Sequence, residues 1–295
     1  MNLQTFGTFR PVESDVNKPG RLIGLMMFAV IMPVTAAAAE ATFDPFQRLL
    51  TQYLTESTTT DGGLVSAFDY EAALASSQTD GLLADQRDRL ADFDTGTLDG
   101  EAESVAFWLN AYNFFMIDQI LTERPDGELV DSVWDYGGRV NPFVDSVFDR
   151  EKFEIGGQEY SLNQMEKDIL LGEEYADKGW KDARVHFAVN CASVGCPPLR
   201  ETVYTADNLE NLLAENTRRA FNTDRHLRID TDTAYVTELF KWYATDFEEA
   251  SGTPKAFIRA WADASVASRV AQTSAMEYID YDWALNKPDN FSEFR

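Results

Sequence analysis

The chain of 295 residues carries 50 acidic and 25 basic side chains, which gives a formal net charge of −25. A polyanion repels phosphate backbones, and no cluster of lysine or arginine interrupts the acidic field, so we expect no nucleic-acid partner. Aromatic residues make up 13% of the chain. That content supports a packed core and excludes an intrinsically disordered protein.

Residues 1–39 predict an export signal. Basic residues precede a long uncharged run, and small residues close it at Ala37 and Ala39, so we expect cleavage before Glu40. The mature protein is then a single globular domain over residues 40–295, periplasmic or secreted and free of the membrane. The alternative is an uncleaved anchor in the inner membrane, because the uncharged run reaches the minimum spanning length of about 18 residues.

The first half of the mature chain predicts helices around one apolar centre. Apolar spacing indicates a helix over 43–57, and a short apolar run over 64–68 is typical of a strand. The strongest helix spans 101–124. Its apolar residues recur at intervals of three and four and cover nearly its whole circumference, so we expect it to be the central core helix.

The second half predicts small hairpins between further helices. Gly156-Gly157 joins two short segments into a hairpin over 153–160, and Ser161 with Gln164 forms a capping box that begins a helix ending near Leu171. Other patterns predict a helix over 205–221, a hairpin over 226–236, short helices over 238–247 and 254–264, and a last strand over 277–283. The fold class is therefore α+β, a predominantly helical single domain with small antiparallel hairpins.

Both cysteines of the chain lie close to one of its two histidines. His186 and Asn190 share one face whether their segment is a strand or a helix, so only a chain reversal after Asn190 brings a sulfur towards the imidazole. Cys196 is then the better nucleophile, with His186 as its base and Asn190 or Glu166 as the orienting group. This interpretation predicts a thiol-dependent hydrolase or acyl transferase.

The same cysteines fit other interpretations. A Cys191–Cys196 disulfide would rigidify a ligand loop in a non-enzymatic binding or scaffold protein and contribute roughly 2 kcal/mol for a loop of about six residues. The pair could instead cycle as a dithiol redox partner or stay as two inert thiols. A metal site is disfavoured because Cys-x₄-Cys is wider than a usual zinc knuckle and no second Cys/His pair exists, so we expect no metal and no cofactor.

The central helix carries three polar candidates for a pocket. Asn110 and Asn113 must find partners, because a buried unpaired amide costs about 1–3 kcal/mol. They either bond to the backbone of neighbouring loops or, together with Tyr112, line a pocket that binds a small molecule or peptide. Elsewhere, His226 is expected to be exposed to solvent between two arginines, and Trp242 to pack in the core.

Six segments, taken in chain order, resemble a known family. They are Ala106-Phe-Trp-Leu-Asn-Ala-Tyr-Asn113, Ser161-Leu-Asn-Gln-Met-Glu166, Arg184-Val-His-Phe-Ala-Val-Asn-Cys191, Cys196-Pro-Pro-Leu199, Phe240-Lys-Trp-Tyr243 with Asp246-Phe247, and Tyr281-Asp-Trp-Ala-Leu-Asn286. Together they resemble the family catalogued as domain of unknown function 547 over most of residues 60–290. The resemblance implies one fold unit and a site region around the cysteines, without an assigned reaction.

Overall fold

A computed structural model describes residues 39–137 and 145–295, and within these ranges it confirms a predominantly helical α+β fold. The α-helices are α1 (Asp44–Tyr53), α2 (Tyr70–Ala75), α3 (Thr79–Ala91), α4 (Glu101–Thr122), α5 (Glu173–Lys178), α6 (Leu209–Ala220), α7 (Leu239–Trp242), α8 (Ala244–Ser251), α9 (Pro254–Trp261) and α10 (Ala264–Gln272). The strands are β1 (Leu54–Thr58), β2 (Leu64–Phe68), β3 (Phe153–Ile155), β4 (Gln158–Tyr160), β5 (Leu227–Asp230), β6 (Thr233–Thr237) and β7 (Ala275–Ile279).

The predicted export signal lies, apart from Ala39, outside the described residues. Within the part of the chain that the structure describes, no helix is both long enough and apolar enough to cross a lipid bilayer.

The predicted central helix is confirmed as α4. Every residue from Ser104 to Leu121 is buried, as expected for a helix that is apolar nearly all round. Aromatic rings from the surrounding elements meet it edge to face or stacked, for example Phe43 and Phe93 against Phe107, with ring centroids 5.3 and 4.4 Å apart.

The hairpin over 153–160 is confirmed with its predicted turn. β3 pairs antiparallel with β4, and Gly156 and Gly157 both take positive φ angles, of 60° and 76°, which a two-residue turn of this kind requires. The second hairpin, of β5 and β6, is also confirmed. The last strand, β7, spans Ala275–Ile279 and not the predicted 277–283, because its parallel pairing with β6 runs from Thr233 to Thr237.

The predicted helix over 43–57 is wrong in its last turn. α1 ends at Tyr53, and Leu54–Thr58 forms β1, which pairs antiparallel with β2 from Leu54 opposite Phe68. The helical spacing of apolar residues continues past Tyr53, so this pattern alone does not show where the helix ends. The segment Thr55-Glu-Ser-Thr58 is rich in β-branched residues, and pairing with β2 decides its conformation.

Two buried clusters meet at a short turn of 3₁₀ helix, Ala183–Phe187. Val185 packs into the cluster around α4, and Phe187 packs into a second cluster with aromatic rings from α6 to α9. The residue between them, His186, is therefore held from both sides, with an exposed fraction of only 1%.

A buried carboxyl group on α4 predicts a pH-dependent stability. Asp118 pairs with Arg87 at 2.6 Å, yet burial outweighs this pairing and raises the pKa of Asp118 to about 6. Because the folded state holds this proton more tightly than the unfolded chain does, stability is lost as the pH rises from about 4 through 6. In urea unfolding, the free energy of unfolding of Asp118→Asn should therefore rise relative to that of the wild type over this window. The expected rise is on the order of 2 kcal/mol.

The companion variant Arg87→Gln removes the cation that opposes the effect of burial, so it should extend the loss of stability to higher pH. A wild-type-to-Asp118→Asn difference that stays constant between pH 4 and 7 would contradict this account.

Candidate functional site

A cavity of about 830 Å³ lies beside the cysteine segment. Its lining brings together side chains from distant parts of the sequence, including Glu166, His186, Cys191, Cys196, Glu238 and Asp246. The cavity therefore contains the predicted nucleophile, base and carboxylate, and Tyr112 of the central helix also lines it.

His186 lies between two carboxylates. Its Nε2 is 2.8 Å from Asp246 Oδ2, and its Nδ1 is 3.5 Å from Glu166 Oε1, an ion-pair distance that is long for a hydrogen bond. The ring stacks on Tyr243, with centroids 3.9 Å apart. Asn190 is not the partner of His186, because the segment is a 3₁₀ turn and the ring nitrogens face the two carboxylates.

Asp246 makes His186 more basic. Burial alone would lower the pKa of His186, but hydrogen bonding and charge from Asp246 and Glu166 outweigh it and raise that pKa above the ordinary value of 6.5. Burial would likewise raise the pKa of Asp246, but His186 and Lys181 lower it. Each of the two residues therefore stabilises the charged form of the other.

Glu166 projects from a π-helix, Gln164–Leu170. The predicted capping box is confirmed: Gln164 N donates to Ser161 Oγ at 3.1 Å, and Ser161 N donates to Gln164 Oε1 at 2.7 Å. The helix it begins has a wider spiral, in which Leu171 N donates to Glu166 O at 3.0 Å. π-Helical segments are frequent at functional sites, and here Glu166 is buried in the cavity wall.

Three phenols surround this carboxylate. Burial, followed by the negative charge of Glu166, raises the pKa values of Tyr112, Tyr243 and Tyr281 above their ordinary range. The phenols therefore stay protonated and can donate hydrogen bonds in the cavity at any physiological pH.

The chain reversal after Asn190 is confirmed, and it is closed by a Cys191–Cys196 disulfide with Cα atoms 6.2 Å apart. Ala192 takes a φ of 57°, which turns the chain back. Asn190 spans the loop: its Nδ2 donates to Pro197 O at 2.8 Å, and its Oδ1 accepts from Ala192 N at 2.9 Å. Of the interpretations given for the two cysteines, the structure has the disulfide.

The loop is also held from outside by the segment 282–286. Val194 N donates to Ala284 O and Gly195 N to Asp282 O, each at 2.8 Å. A Cβ atom on Gly195 would lie 2.9 Å from the Tyr281 ring, so this position needs glycine for the close approach. Two of the segments on which the resemblance rests, around Cys196 and Tyr281, thus meet along one short ladder.

Four aromatic rings form a continuous wall of the cavity. Trp283 lies 5.0 Å from Trp134, 5.6 Å from Trp242 and 4.5 Å from Tyr281, measured between ring centroids. The prediction that Trp242 packs in the core is wrong, because 41% of the residue is exposed. We call these four rings the aromatic wall.

The two carboxamides of the central helix bond to backbone. Asn110 exchanges two hydrogen bonds with Tyr204, at 2.7 and 2.9 Å. Asn113 accepts from Asn190 N at 2.8 Å and donates to Ala188 O at 3.0 Å. They therefore fix the loops behind the site, and their predicted part in ligand binding stays a prediction.

The expected exposure of His226 is wrong. It is only 2% exposed, and burial, followed by the charge of Arg225, lowers its pKa to about 3. The flanking arginines suggested a solvated position, but Arg225 turns outward to pair with Glu293 at 2.7 Å, while His226 packs near Phe187.

Sequence reasoning overlooked Asp246 and assigned no role to Tyr281. Both lie in motifs that carry the family resemblance, so their place in those motifs was the available signal. Among residues 39–137 and 145–295, no group of three or more histidine, cysteine, aspartate or glutamate side chains is arranged to hold a metal ion.

Residues 97–220 match the model of a family described as protein of unknown function, DUF547. The resemblance to DUF547 is thereby confirmed. The DUF547 segment contains α4, the π-helix and the disulfide loop, whereas Asp246 and Tyr281 come from the chain beyond it. No curated protein and no solved structure matches the chain.

Proposed function

We propose that the protein binds a small amine with a flat apolar part, such as an aromatic or alicyclic ring. One observation carries the proposal: the aromatic wall and the buried carboxylate of Glu166 line the same cavity. A cavity of about 830 Å³ falls in the size range of small-molecule sites, which are mostly apolar with a few placed polar groups.

The aromatic wall offers the surface for the apolar part. Its rings contact one another, and Trp242 remains 41% exposed on the cavity although its indole is apolar. When a flat ligand covers a large apolar side chain that is partly exposed to water, the free energy of the system falls. The hydroxyl of Tyr281 in the same wall adds a hydrogen-bond donor.

The charges around the cavity favour a cation. Its lining contains three carboxylates, of Glu166, Glu238 and Asp246, against Lys167 and the imidazole of His186. Asp246 also pairs with Lys181 and Glu238 with Lys241, so Glu166 is the carboxylate that remains for a ligand cation. Among the described residues, Glu166 has no ion pair with a lysine or arginine; its partners are His186, at 3.5 Å, and the Tyr243 hydroxyl. This carboxylate and the faces of the tryptophan and tyrosine rings would stabilise a bound ammonium group. The net charge of −25 also attracts a cation from a distance.

The thiol hydrolase predicted from the sequence needs a free Cys196 thiol with His186 as its base. In this structure Cys196 is bonded to Cys191, and both nitrogens of His186 face carboxylates. The hydrolase stays a prediction for a reduced form, and ligand binding is the function that the oxidised geometry supports better.

A series of three probes that differ only in charge tests the proposal. Phenethylamine, 2-phenylethanol and phenylacetate can each be titrated into the oxidised protein while tryptophan fluorescence reports on the aromatic wall. We expect the amine to bind about tenfold more tightly than the alcohol, with phenylacetate the weakest, and this preference to shrink as salt is added.

The variant Glu166→Gln should remove most of the preference for the amine while leaving the affinity for 2-phenylethanol unchanged. Glu174→Gln is the matched control, because Glu174 is exposed on α5 and pairs with Lys178 away from the cavity. Equal affinity for all three probes, or tighter binding of phenylacetate, would overturn the assignment of an amine. Absence of binding by any of them would overturn the small-ligand site.

A further inference from the structure

The disulfide lies in the cavity wall and is reachable from the cavity. Both cysteines line the space, with Cys196 only 7% exposed and Cys191 partly exposed. Cys191 is therefore the more exposed residue of the pair. Exchange between a thiol and a disulfide requires this access to one of the two sulfurs.

Hydrogen-bond donors surround the two sulfurs unequally. The Tyr281 hydroxyl lies 3.2 Å from each sulfur, and the Cys191 N–H donates to Cys196 Sγ at 3.0 Å. If the bond opens, a thiolate on Cys196 has two donors, whereas one on Cys191 has the phenol alone. Donors of this kind stabilise a thiolate and make it the better leaving group.

Contacts other than the disulfide also hold the loop. Asn190 spans it from inside, and the ladder with residues 282–286 holds Val194 and Gly195 from outside. The two sulfurs would therefore stay adjacent after reduction. A dithiol that is held in place can be reoxidised to the same bond, which repeated cycling needs.

We propose that Cys191–Cys196 is a redox-active disulfide that exchanges with thiols entering the cavity, that the Cys191 N–H sets the direction of the exchange, and that Tyr281 assists it by donating to the thiolate that leaves. An external thiolate attacks Cys191 Sγ, the bond between the two cysteine sulfurs breaks, and its electron pair goes to Cys196 Sγ. A second thiol then attacks the external sulfur of the mixed disulfide and releases Cys191. Two external thiols become one disulfide, and their two protons and two electrons remain on Cys191 and Cys196.

The inference goes beyond amine binding and is tested separately from it. The full chain is equilibrated under native conditions with mixtures of reduced and oxidised dithiothreitol, and free thiols are counted by alkylation and intact mass. We expect one reversible transition of two thiols, with the helical circular dichroism signal unchanged. A bond that resists reduction until the protein unfolds, or a reduced protein that loses its fold, would overturn the proposal.

Single-cysteine variants test the direction of exchange. With bis(2-hydroxyethyl) disulfide as an uncharged probe, Cys196→Ser, which leaves the Cys191 thiol, should accumulate a mixed disulfide with 2-mercaptoethanol. Cys191→Ser should accumulate little under the same conditions, because its remaining thiol is buried. The reverse order would mean that Cys196 is the exchanging sulfur and would overturn the assigned direction.

Tyr281→Phe tests the positioning residue, since it keeps the ring and removes only the donor. We expect reduction by dithiothreitol to slow about tenfold and the pKa of the Cys196 thiol in the reduced protein to rise, as read from thiolate absorbance against pH. Tyr278→Phe is the control, because Tyr278 is 46% exposed on β7. Unchanged rate and thiol pKa in Tyr281→Phe would remove Tyr281 from the mechanism.

Because the amine titrations use the oxidised protein, they succeed or fail independently of the exchange experiments. Amine binding with an inert disulfide would refute the redox inference alone, and exchange without amine binding would refute the proposed ligand alone.

Discussion

Replacing Asn190 with alanine is expected to destabilise the protein by about 3 kcal/mol, one of the two largest effects we predict. The change leaves the Pro197 carbonyl and the Ala192 N–H without their partner, at 2.8 and 2.9 Å in the wild type, and removes a third bond from Asn286 at 3.0 Å. Each unpaired buried group costs about 1–3 kcal/mol. Urea unfolding with the disulfide intact measures the loss.

Asn222→Ala is the matched control, because Asn222 is partly exposed and makes one side-chain hydrogen bond, to Asp263 at 2.7 Å. We expect it to cost less than about 1 kcal/mol. If Asn190→Ala cost no more than this control, the disulfide and the outer ladder would be sufficient to hold the loop, and the role given to Asn190 would be wrong.

Replacing Gly172 with alanine is expected to cost about 3 kcal/mol as well. A Cβ atom there would lie 1.9 Å from the backbone oxygen of Asp168, which belongs to the π-helix that carries Glu166. A backbone atom cannot rotate out of the way as the end of a flexible side chain can. The clash therefore forces the end of the π-helix to shift. The shift should also move Glu166, so we expect Gly172→Ala to weaken phenethylamine binding.

Gly81→Ala should change the stability in the opposite direction, and it serves as the control. Gly81 lies inside α3, and nothing stands within 4 Å of the position that a Cβ atom would take. Alanine is the better helix former by about 1 kcal/mol, so this variant should be more stable than the wild type. Equal effects at the two glycines would contradict the steric explanation for Gly172.

Local signals in the sequence predicted those parts of the fold that local physics decides. The apolar circumference of α4, the Gly156-Gly157 turn and the capping box at Ser161 each depend on neighbours within a few residues, and each was found where predicted. The strand Leu54–Thr58 was missed because its partner, β2, determines its conformation, and helical spacing continues across the true end of α1.

The site was predicted in part for a similar reason. His186, Glu166 and Cys196 were recognised as chemically capable residues, and all three line the cavity. What the sequence could not supply was the partner of each: Asp246 lies 60 residues after His186, and Tyr281 lies 85 residues after Cys196. Burial of His226 was missed because flanking charges do not reveal which way a side chain turns.

The ladder between the disulfide loop and residues 282–286 has a consequence for biogenesis. Because that ladder and the Tyr281 ring come from near the C-terminus, the cavity cannot be complete while the chain is still emerging during synthesis. Cys196 precedes Tyr281 by 85 residues, so the cysteine loop is synthesised before the segment that completes the pocket. A chain truncated before Tyr281 would therefore keep its cysteines but lack the completed pocket.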